Sequence, residues 1–238
     1  MTLPIPVLPS SFPLSRRRIS ASPFSSAIVR TNGTITGWGG AVIPNITGAV
    51  DVSYGESAAL VLLINGTVAG FDGDYNSAFT DSLSSIVQVS AGLEHYLALK
   101  NDGTVVGWGD NYYGETDIPN GLSNVVQVCA AADYSLALKN DGTIVGWGYN
   151  YDGVTDIPNN LANVIKIATN AQSTHWVALK SNGTITGIGS NNYGQINFPT
   201  NLGGITNVAA GSEFTLALKS DGTITRSEER RVGKECRL

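Results

Sequence analysis

The sequence predicts an all-β protein made of stacked repeats, and three observations support this. A triplet of Asn or Asp, Gly and Thr occurs six times, with successive glycines 33, 37, 39, 41 and 39 residues apart. Short runs rich in Val, Ile, Leu and Thr flank the triplets, whereas no segment carries apolar residues at helical spacing over about a dozen residues. A repeat that cannot bury its own apolar face must stack on its neighbours. The triplets begin at Asn32, Asn65, Asp102, Asp141, Asn182 and Asp221.

One repeat unit, which begins at Leu97, shows the predicted elements in order. Its first apolar run ends in an Asn-Asp-Gly turn, where Gly103 supplies the positive φ that a tight hairpin needs. A second run ends at Trp108, a polar loop follows, and an extended segment ends at Pro119, which suits an edge or a turn better than a central strand. About four strands in roughly 40 residues are typical of a β-propeller blade. The expected strands are 97–100, 104–108, the segment that ends at Pro119, and 125–128.

The strand side chains are expected to pack between neighbouring blades. Leu97 and Leu99 point to one side of the strand and Ala98 points to the other. This alternation of large and small residues suits wedge-shaped blades arranged around an axis. Trp108 and Trp147 are expected to fill the space between blades rather than to bind a ligand.

The units also share a Gly-Trp-Gly motif, at 37–39, 107–109 and 146–148. Together with Leu-Ala-Leu-Lys, the Asp/Asn-Gly-Thr turn and the Ile-Pro segment, this motif resembles the repeat of the regulator of chromosome condensation family. It is most similar to the short-repeat bacterial branch, which includes β-lactamase inhibitory protein type II. The resemblance covers residues 27–225. It implies a β-propeller, commonly of seven blades, whose members bind other proteins, and it favours an extracellular or cell-envelope location.

The repeats divide the chain into three parts. Residues 27–225 hold five full units and the first strands of a sixth, so we expect an incomplete propeller, truncated from seven blades, whose apolar edges favour self-association. Residues 1–26 are rich in Pro, Ser and Arg, and we expect them to be disordered; they lack the apolar run of a signal peptide. Residues 226–238 break the glycine pattern and resemble the translation of a sequencing adapter, so we expect them to be non-native.

The charge of the repeats argues against nucleic acid and membranes as partners. Residues 27–225 contain six basic and 16 acidic residues, and no basic stripe that could neutralise phosphates. The regulator that names the family docks on chromatin, and this charge distribution does not fit that role. The sequence has no apolar stretch of about 18 residues, so no transmembrane helix is expected.

No catalytic, metal or cofactor site is expected. His95 and His175 occupy a repeat position that other units fill with Ala, Tyr or Phe, which indicates packing. Cys129 stands where other units have Ser or Ala, and no Cys/His spacing resembles a zinc site. The acidic residues at 72–81 lack the Gly and the final acidic residue of an EF-hand loop. Because no nucleophile, base and orienting acid recur together, we expect a protein that is not an enzyme.

The direction of the strands predicts where a binding site lies. If the Leu-Ala-Leu-Lys strand runs up, the Gly-Trp-Gly strand runs down, so the loop after Gly-Trp-Gly and the turn before Leu-Ala-Leu-Lys emerge on one face. Tyrosine is enriched where proteins bind proteins. We expect this face to bind a protein, and inhibition of an extracellular enzyme is a special case of this role. The alternative is that the face binds a carbohydrate. The candidate binding residues are Tyr75, Tyr112, Tyr113, Tyr149, Tyr151, Tyr193, Asp110, Asp133, Asp152 and Glu213, with Glu94 and Glu115 on the same face.

Overall fold

The protein is an array of six small antiparallel β-sheets, seen in a computed structural model that describes residues 19–22, 25–39, 46–56, 58–72, 83–199 and 202–227. Each sheet has three strands, and each follows chain order. The strands are β1 (Ile19–Ala21), β2 (Ser25–Val29), β3 (Ile35–Gly39), β4 (Ala49–Tyr54), β5 (Ala58–Leu63), β6 (Val68–Asp72), β7 (Ile86–Ala91), β8 (His95–Lys100), β9 (Val105–Gly109), β10 (Val125–Ala130), β11 (Tyr134–Lys139), β12 (Ile144–Gly148), β13 (Val164–Ala168), β14 (His175–Lys180), β15 (Ile185–Gly189), β16 (Ile205–Ala210), β17 (Thr215–Lys219) and β18 (Ile224–Arg226). This architecture confirms the all-β prediction and is consistent with an incomplete propeller.

The sheets are offset from the sequence repeat by one strand. The unit that begins at Leu97 supplies β8 and β9 to one sheet, whereas its Val-rich run forms β10, the first strand of the next sheet. The first strands of neighbouring sheets contact one another; for example, β7 contacts both β4 and β10. Each repeat unit is therefore shared between two blades, and the covalent chain links every blade to the next.

The expectation of about four strands per unit was too high, because the described Ile-Pro segments do not join a sheet. After β9 the chain forms turns through Pro119 instead of a ladder. The Asn111 side chain accepts a hydrogen bond from the Thr116 N–H, 2.9 Å, and so occupies backbone that a strand would need. The segment nevertheless packs on β9, since a Cβ added to Gly107 would lie 3.3 Å from the Ile118 side chain.

The Asp/Asn-Gly-Thr turns connect the second and third strands of a sheet, and they also form hydrogen bonds with the next sheet. In the turn after β8, Asp102 Oδ1 accepts hydrogen bonds from the N–H and the hydroxyl of Thr104, at 2.9 and 2.6 Å. Gly103 has φ +80°, and its carbonyl accepts a hydrogen bond of 3.1 Å from the Val125 N–H, at the start of the next sheet. The same bond from a turn glycine carbonyl to the next first strand recurs at Gly33, Gly66, Gly142 and Gly183.

Buried polar side chains add a second connection between first strands. Gln88 accepts a hydrogen bond from the Val128 N–H and donates one to the Val128 carbonyl, at 2.9 and 3.0 Å. Gln127 repeats this double contact with Ile167 in the next sheet. Because each amide satisfies both backbone groups of one residue, it fixes the register of one blade against its neighbour.

The apolar side chains pack between the sheets as the alternation of residues predicts. Leu97 and Leu99 lie against Val128 and Trp147 of the following sheet, whereas Ala98 belongs to the cluster shared with the preceding sheet. Deleting such a buried leucine typically costs about 2 to 5 kcal/mol. The core is thus a series of layers between blades rather than one central cluster.

The first sheet begins earlier than the sequence boundary at residue 27. Strand β1 pairs with β2, and the Ser20 hydroxyl accepts a 2.9 Å hydrogen bond from the Tyr54 N–H. Ser53 and Ser90 make the equivalent bond to the next sheet. Residues 19–26 were assigned outside the repeats because a three-residue strand carries too little pattern to detect. The rest of that segment, residues 1–18 and 23–24, lies outside the described residues.

The last sheet extends to Arg226, one residue beyond the predicted repeat boundary. Arg226 pairs with Leu216 in the ladder, and its guanidinium lies 4.5 Å from the centre of the Phe214 ring. The prediction for the remainder of the C-terminal segment falls on residues 228–238, which lie outside the described residues. Among the residues that the structure does describe, no helix has the length and apolar character to cross a bilayer.

Both end sheets expose apolar side chains that inner sheets bury, and we predict self-association through them. Trp38 is 55% exposed in the first sheet and Ile224 is 66% exposed in the last, whereas Trp147 is buried at 8%. Burial of such surfaces against another copy is favourable in proportion to the apolar area removed from water. Light scattering should therefore report a mass that rises with concentration, and a strictly monomeric species at every concentration would contradict this.

The turn glycines should be more sensitive to substitution than glycines of equal φ in open loops. Gly142 has φ +80°, and an added Cβ would lie 3.2 to 3.3 Å from backbone atoms of Asn163 and Val164. Gly121 has φ +79° and nothing within 4 Å. A left-handed conformation costs a non-glycine residue about 1 to 2 kcal/mol. Gly142→Ala should lower the free energy of unfolding by this left-handed cost and by about 1 kcal/mol more for the close contact with the next sheet. Gly121→Ala should lower it by the left-handed cost alone.

Urea unfolding of the two variants measures this difference directly. Equal losses of unfolding free energy would mean that the backbone approach between sheets contributes nothing to stability.

Candidate functional site

The loops after the third strands lie beside the turns between the first and second strands, at one end of the blades. The Asp110 N–H donates to the Glu94 carbonyl, 3.0 Å, and the Tyr149 N–H donates to the Asp133 carbonyl, 2.8 Å. We call this end the loop face; its described parts are loops 110–117, 149–156 and 190–197 and turns 55–56, 92–94, 131–133, 172–174 and 211–214. The arrangement is the one that strand direction predicted.

One asparagine organises each loop of the loop face. Asn111 accepts a hydrogen bond from the Thr116 N–H, and its side-chain amide donates to Asp117, each at 2.9 Å. Asn150 makes the same pair of contacts in the second loop, and Asn191 does so in the third. Because side-chain and backbone bonds close each loop on itself, the residues between them are held in position before any partner binds.

Four tyrosines from two adjacent loops form a continuous row of contacting rings, which we call the tyrosine ladder. Tyr112 meets Tyr113 edge to face with ring centres 4.8 Å apart. Tyr113 stacks on Tyr149 of the next loop at 4.4 Å, and Tyr149 stacks on Tyr151 at 5.9 Å with the planes only 8° apart. The ladder therefore bridges two blades, and ring pairs in such geometry contribute about 0.5 to 1.5 kcal/mol beyond their buried area.

The ladder is exposed along its length, and most so at its ends. Tyr112 is 81% exposed and Tyr151 is 59% exposed, whereas the central Tyr113 and Tyr149 are 45% and 40% exposed. Asp152, beside Tyr151, adopts a left-handed φ of +57° within the 3-10 turn Tyr151–Gly153. The two end rings therefore leave more of their surface open to solvent than the two central rings, each of which contacts two neighbouring rings.

Two other candidate residues, Tyr193 and Glu213, make no ring contact with the ladder among the described residues. Tyr193 is 54% exposed at the loop position equivalent to Tyr113, yet it stacks on no ring among the described residues. Glu213 is exposed in the turn between β16 and β17, the loop-face position equivalent to Glu94 and Asp133. Tyr75 lies outside the described residues.

The sequence analysis placed Glu115 on the exposed face, and the structure corrects this prediction. Its side chain is buried at 1% exposure and accepts a 2.9 Å hydrogen bond from the Tyr113 N–H. Its carbonyl accepts bonds from the Trp147 indole, 2.7 Å, and from the Ser135 hydroxyl, 2.8 Å. Glu115 therefore supports Tyr113 from beneath and connects the third blade to the fourth. No periodic signal distinguishes it from its exposed neighbours in sequence.

The electrostatic field around the ladder is negative. Burial raises the pKa of Asp133, and the nearby Asp110 raises it further. Partial desolvation raises the pKa of Tyr113, and electrostatic interaction with Tyr149, Tyr112 and Asp133 raises it further. Lys100 and Lys139 lie at the opposite end of β8 and β11, where the strands leave the loop face.

The two histidines are buried in the contacts between blades. His95 Nε2 lies 3.0 Å from the Ser135 hydroxyl, which donates its own proton to the Glu115 carbonyl, so His95 carries its proton on Nε2. His175 Nε2 lies 3.2 Å from the Thr215 hydroxyl. Both therefore connect one blade to the next, which is the packing role that the repeat position indicated. Sequence pattern did not predict these hydrogen bonds, since the partners lie 40 residues away.

Within the described ranges, no group of three or more His, Cys, Asp and Glu side chains is placed to hold a metal ion. Comparison of the repeat units predicts a small buried side chain at Cys129, and this side chain is fully buried in the core between two sheets. The loop face exposes ring faces, hydroxyls and carboxylates.

This combination of stacked three-stranded blades and one loop-bearing end defines a repeat β-propeller. Residues 86–115 and 125–154 match the profile of the regulator of chromosome condensation (RCC1) repeat. These two units are therefore similar to the RCC1 repeat, as the motifs indicated. No curated protein sequence is detectably similar to it.

Solved structures confirm the fold. Prp20p, the RCC1 protein of Saccharomyces cerevisiae, is 17% identical with a TM-score of 0.73, over 87% of this chain and 70% of Prp20p. The ectodomain of the receptor kinase CR4 from Physcomitrella patens is 18% identical with a TM-score of 0.75, over 91% of this chain and 65% of that structure. Human WBSCR16 is 22% identical with a TM-score of 0.62, over 74% of this chain and 61% of the WBSCR16 structure. At these identities the similarity establishes architecture alone.

The buried histidines should make the fold sensitive to mild acid. Burial lowers the pKa of both His95 and His175 to about 4, against about 6.5 in the unfolded chain. The unfolded state therefore binds more protons between about pH 6.5 and 4. Above pH 6.5 the two histidines should cost no unfolding free energy. As the pH drops from about 6.5 to 4, the free energy of unfolding should fall by up to about 1.4 kcal/mol per pH unit for each histidine.

Urea unfolding at pH 7.5 and 5.0 measures this loss. Replacing both residues, as His95→Gln with His175→Gln, removes the titration while keeping an N–H donor, so the pH dependence in this window should flatten. Asp141, whose pKa the Thr143 hydrogen bonds lower to about 2, titrates below the window and does not interfere. A double variant with the slope of the parent protein would show that other groups control acid stability.

Proposed function

We propose that the protein is a non-catalytic binding module that holds a protein partner on the loop face through the tyrosine ladder. The observation that carries this proposal is the ladder itself: four exposed tyrosines from two blades, in mutual ring contact. A folded chain gains little by leaving this much ring surface in water. Such a surface is typical of a site that a partner covers.

The loop face is also organised before binding, which favours affinity. Tyrosine side chains have few rotatable bonds, and here each ring is restrained by a neighbouring ring. The asparagine contacts within the loops hold the backbone that carries them. Binding therefore orders few groups, so less of the contact energy is lost to entropy.

The comparisons are compatible with a binding role but do not identify a partner. Prp20p was described together with its binding properties to Gsp1p and histones. The negative charge around the ladder differs from a surface suited to nucleic acid, because phosphates require basic residues. We therefore place a protein rather than a nucleic acid on the loop face of this chain, with Asp110, Asp133 and Asp152 as its polar border.

Replacing the ladder tyrosines should abolish partner binding and leave folding intact. In the variant Tyr112→Ala/Tyr113→Ala/Tyr149→Ala, the removed rings are all at least 40% exposed. Hot-spot aromatics each contribute about 2 kcal/mol or more to binding, so the triple change should remove a partner from any ordinary assay. The melting temperature should change by only a few degrees, since exposed substitutions cost little.

The experiment pairs thermal unfolding with affinity capture from an extract of the source cells, followed by mass spectrometry. Tyr193→Ala is the matched control, because that tyrosine is equally exposed but lies outside the ladder. A protein bound by the parent and by Tyr193→Ala, but not by the triple variant, supports the proposal. Capture that is insensitive to the triple change, together with a large loss of melting temperature, would mean that the ladder is a packing element.

A further inference from the structure

We propose that the partner segment bound by the tyrosine ladder is extended and carries arginine residues, whose guanidinium groups lie on the open ring faces at the two ends of the ladder. This inference rests on the proposed function and specifies its partner. It follows from three features of the loop face: its charge, its unpaired carboxylates, and the position of its free ring faces.

The charge of the loop face is negative without compensation. Across residues 92–163 the only basic side chains are Lys100 and Lys139, and both lie where their strands reach the opposite end of the blades. The exposed or partly exposed acidic residues on the loop face in this range are Glu94, Asp110, Asp117, Asp133, Asp152 and Asp156. A cationic partner is therefore attracted to the ladder and an anionic one is repelled.

The carboxylates beside the ladder have no cationic partner of their own. The salt bridge that Lys139 makes is with Asp141, at the far end of the blades. Among the described residues none forms a salt bridge with Asp110, Asp133 or Asp152. Asp133 is also partly desolvated next to Asp110, which raises its pKa. An incoming guanidinium would relieve that repulsion by pairing with these carboxylates.

The ring geometry selects arginine over an aromatic or aliphatic anchor. Tyr113 and Tyr149 are stacked on each other, so a further ring cannot insert between them. Tyr112 and Tyr151 end the ladder with ring surface open to solvent. A guanidinium is planar, is more weakly hydrated than an ammonium group, and stacks on tyrosine while its N–H groups reach a carboxylate.

Asp110 and Asp152 provide a carboxylate for each end of the ladder. Asp110 begins the loop that carries Tyr112, two residues away, and Asp152 directly follows Tyr151. Each end thus has an exposed ring with a carboxylate one or two residues away in sequence. An extended segment presents alternate side chains on one side about 6.5 to 7 Å apart, so a single segment can place arginines along the ladder.

The test uses four synthetic peptides of one design, Gly-X repeated four times, in which X is arginine, citrulline, lysine or glutamate and lies at every second position, so that all X side chains share one side of the extended peptide. Citrulline keeps the shape of arginine and removes its charge, and lysine keeps the charge and removes the plane. Binding is followed by calorimetry and by NMR of tyrosine rings in the full-length protein. We expect the arginine peptide to bind best, lysine several-fold more weakly, and citrulline and glutamate at least tenfold more weakly.

Variants of the protein locate the binding. Tyr112→Leu and Tyr151→Leu keep apolar bulk and should each weaken the arginine peptide about two- to fivefold. Tyr193→Leu is the matched control and should leave its affinity unchanged. Asp110→Asn with Asp152→Asn retains the ladder and should also weaken binding and reduce its dependence on salt between 50 and 500 mM NaCl. This carboxamide variant keeps the test valid if a leucine variant folds poorly.

The outcomes separate this inference from the proposed function. Equal binding of the citrulline peptide, or equal loss in Tyr193→Leu and Tyr112→Leu, overturns the arginine assignment. Absence of arginine-peptide binding overturns it too, and the proposed function then stands only if cellular capture still depends on the ladder. Ring shifts caused by a panel of neutral oligosaccharides, without shifts from the arginine peptide, would assign the ladder to sugars and overturn both.

Discussion

The backbone hydrogen bond between each turn glycine and the next first strand is the constraint on which the structure depends. The Gly103 carbonyl accepts from Val125 N–H, and four further turns repeat the contact. A left-handed φ turns that carbonyl toward the next sheet, and the absence of a Cβ lets the strand approach. Since the repeat unit spans two sheets, this bond also sets the angle between blades, and every other contact between blades forms on that frame.

The site follows from the same regularity. Because all sheets have the same strand order, their loops emerge at the same end, and neighbouring loops come within reach of each other. Blade spacing then brings Tyr113 of one loop against Tyr149 of the next. Below them, Glu115 connects the loop to Trp147 of the following blade. The exposed ladder therefore rests on buried contacts between blades.

Much of the fold was predictable because its signals are local and repeated. The Asp-Gly-Thr turn, the alternation of Leu97, Ala98 and Leu99, and the repeat length each specify geometry within a few residues. The fourth strand was predicted wrongly because Asn111 competes for the backbone of its segment, and a side-chain hydrogen bond of this kind leaves no periodic trace. Strand β1 escaped notice because three residues carry too little pattern.

The sequence alone determined the repeat, the all-β class, the negative charge, and the end of the blades on which the tyrosines lie, since strand direction and turn chemistry are local properties. Tertiary structure decided which tyrosines meet. Tyr113 and Tyr193 hold equivalent positions, yet only Tyr113 joins the ladder, because the following loop supplies Tyr149. It also decided that Glu115 is buried. Such contacts depend on the spacing of two blades, which side chains some 30 to 40 residues apart in sequence fix together.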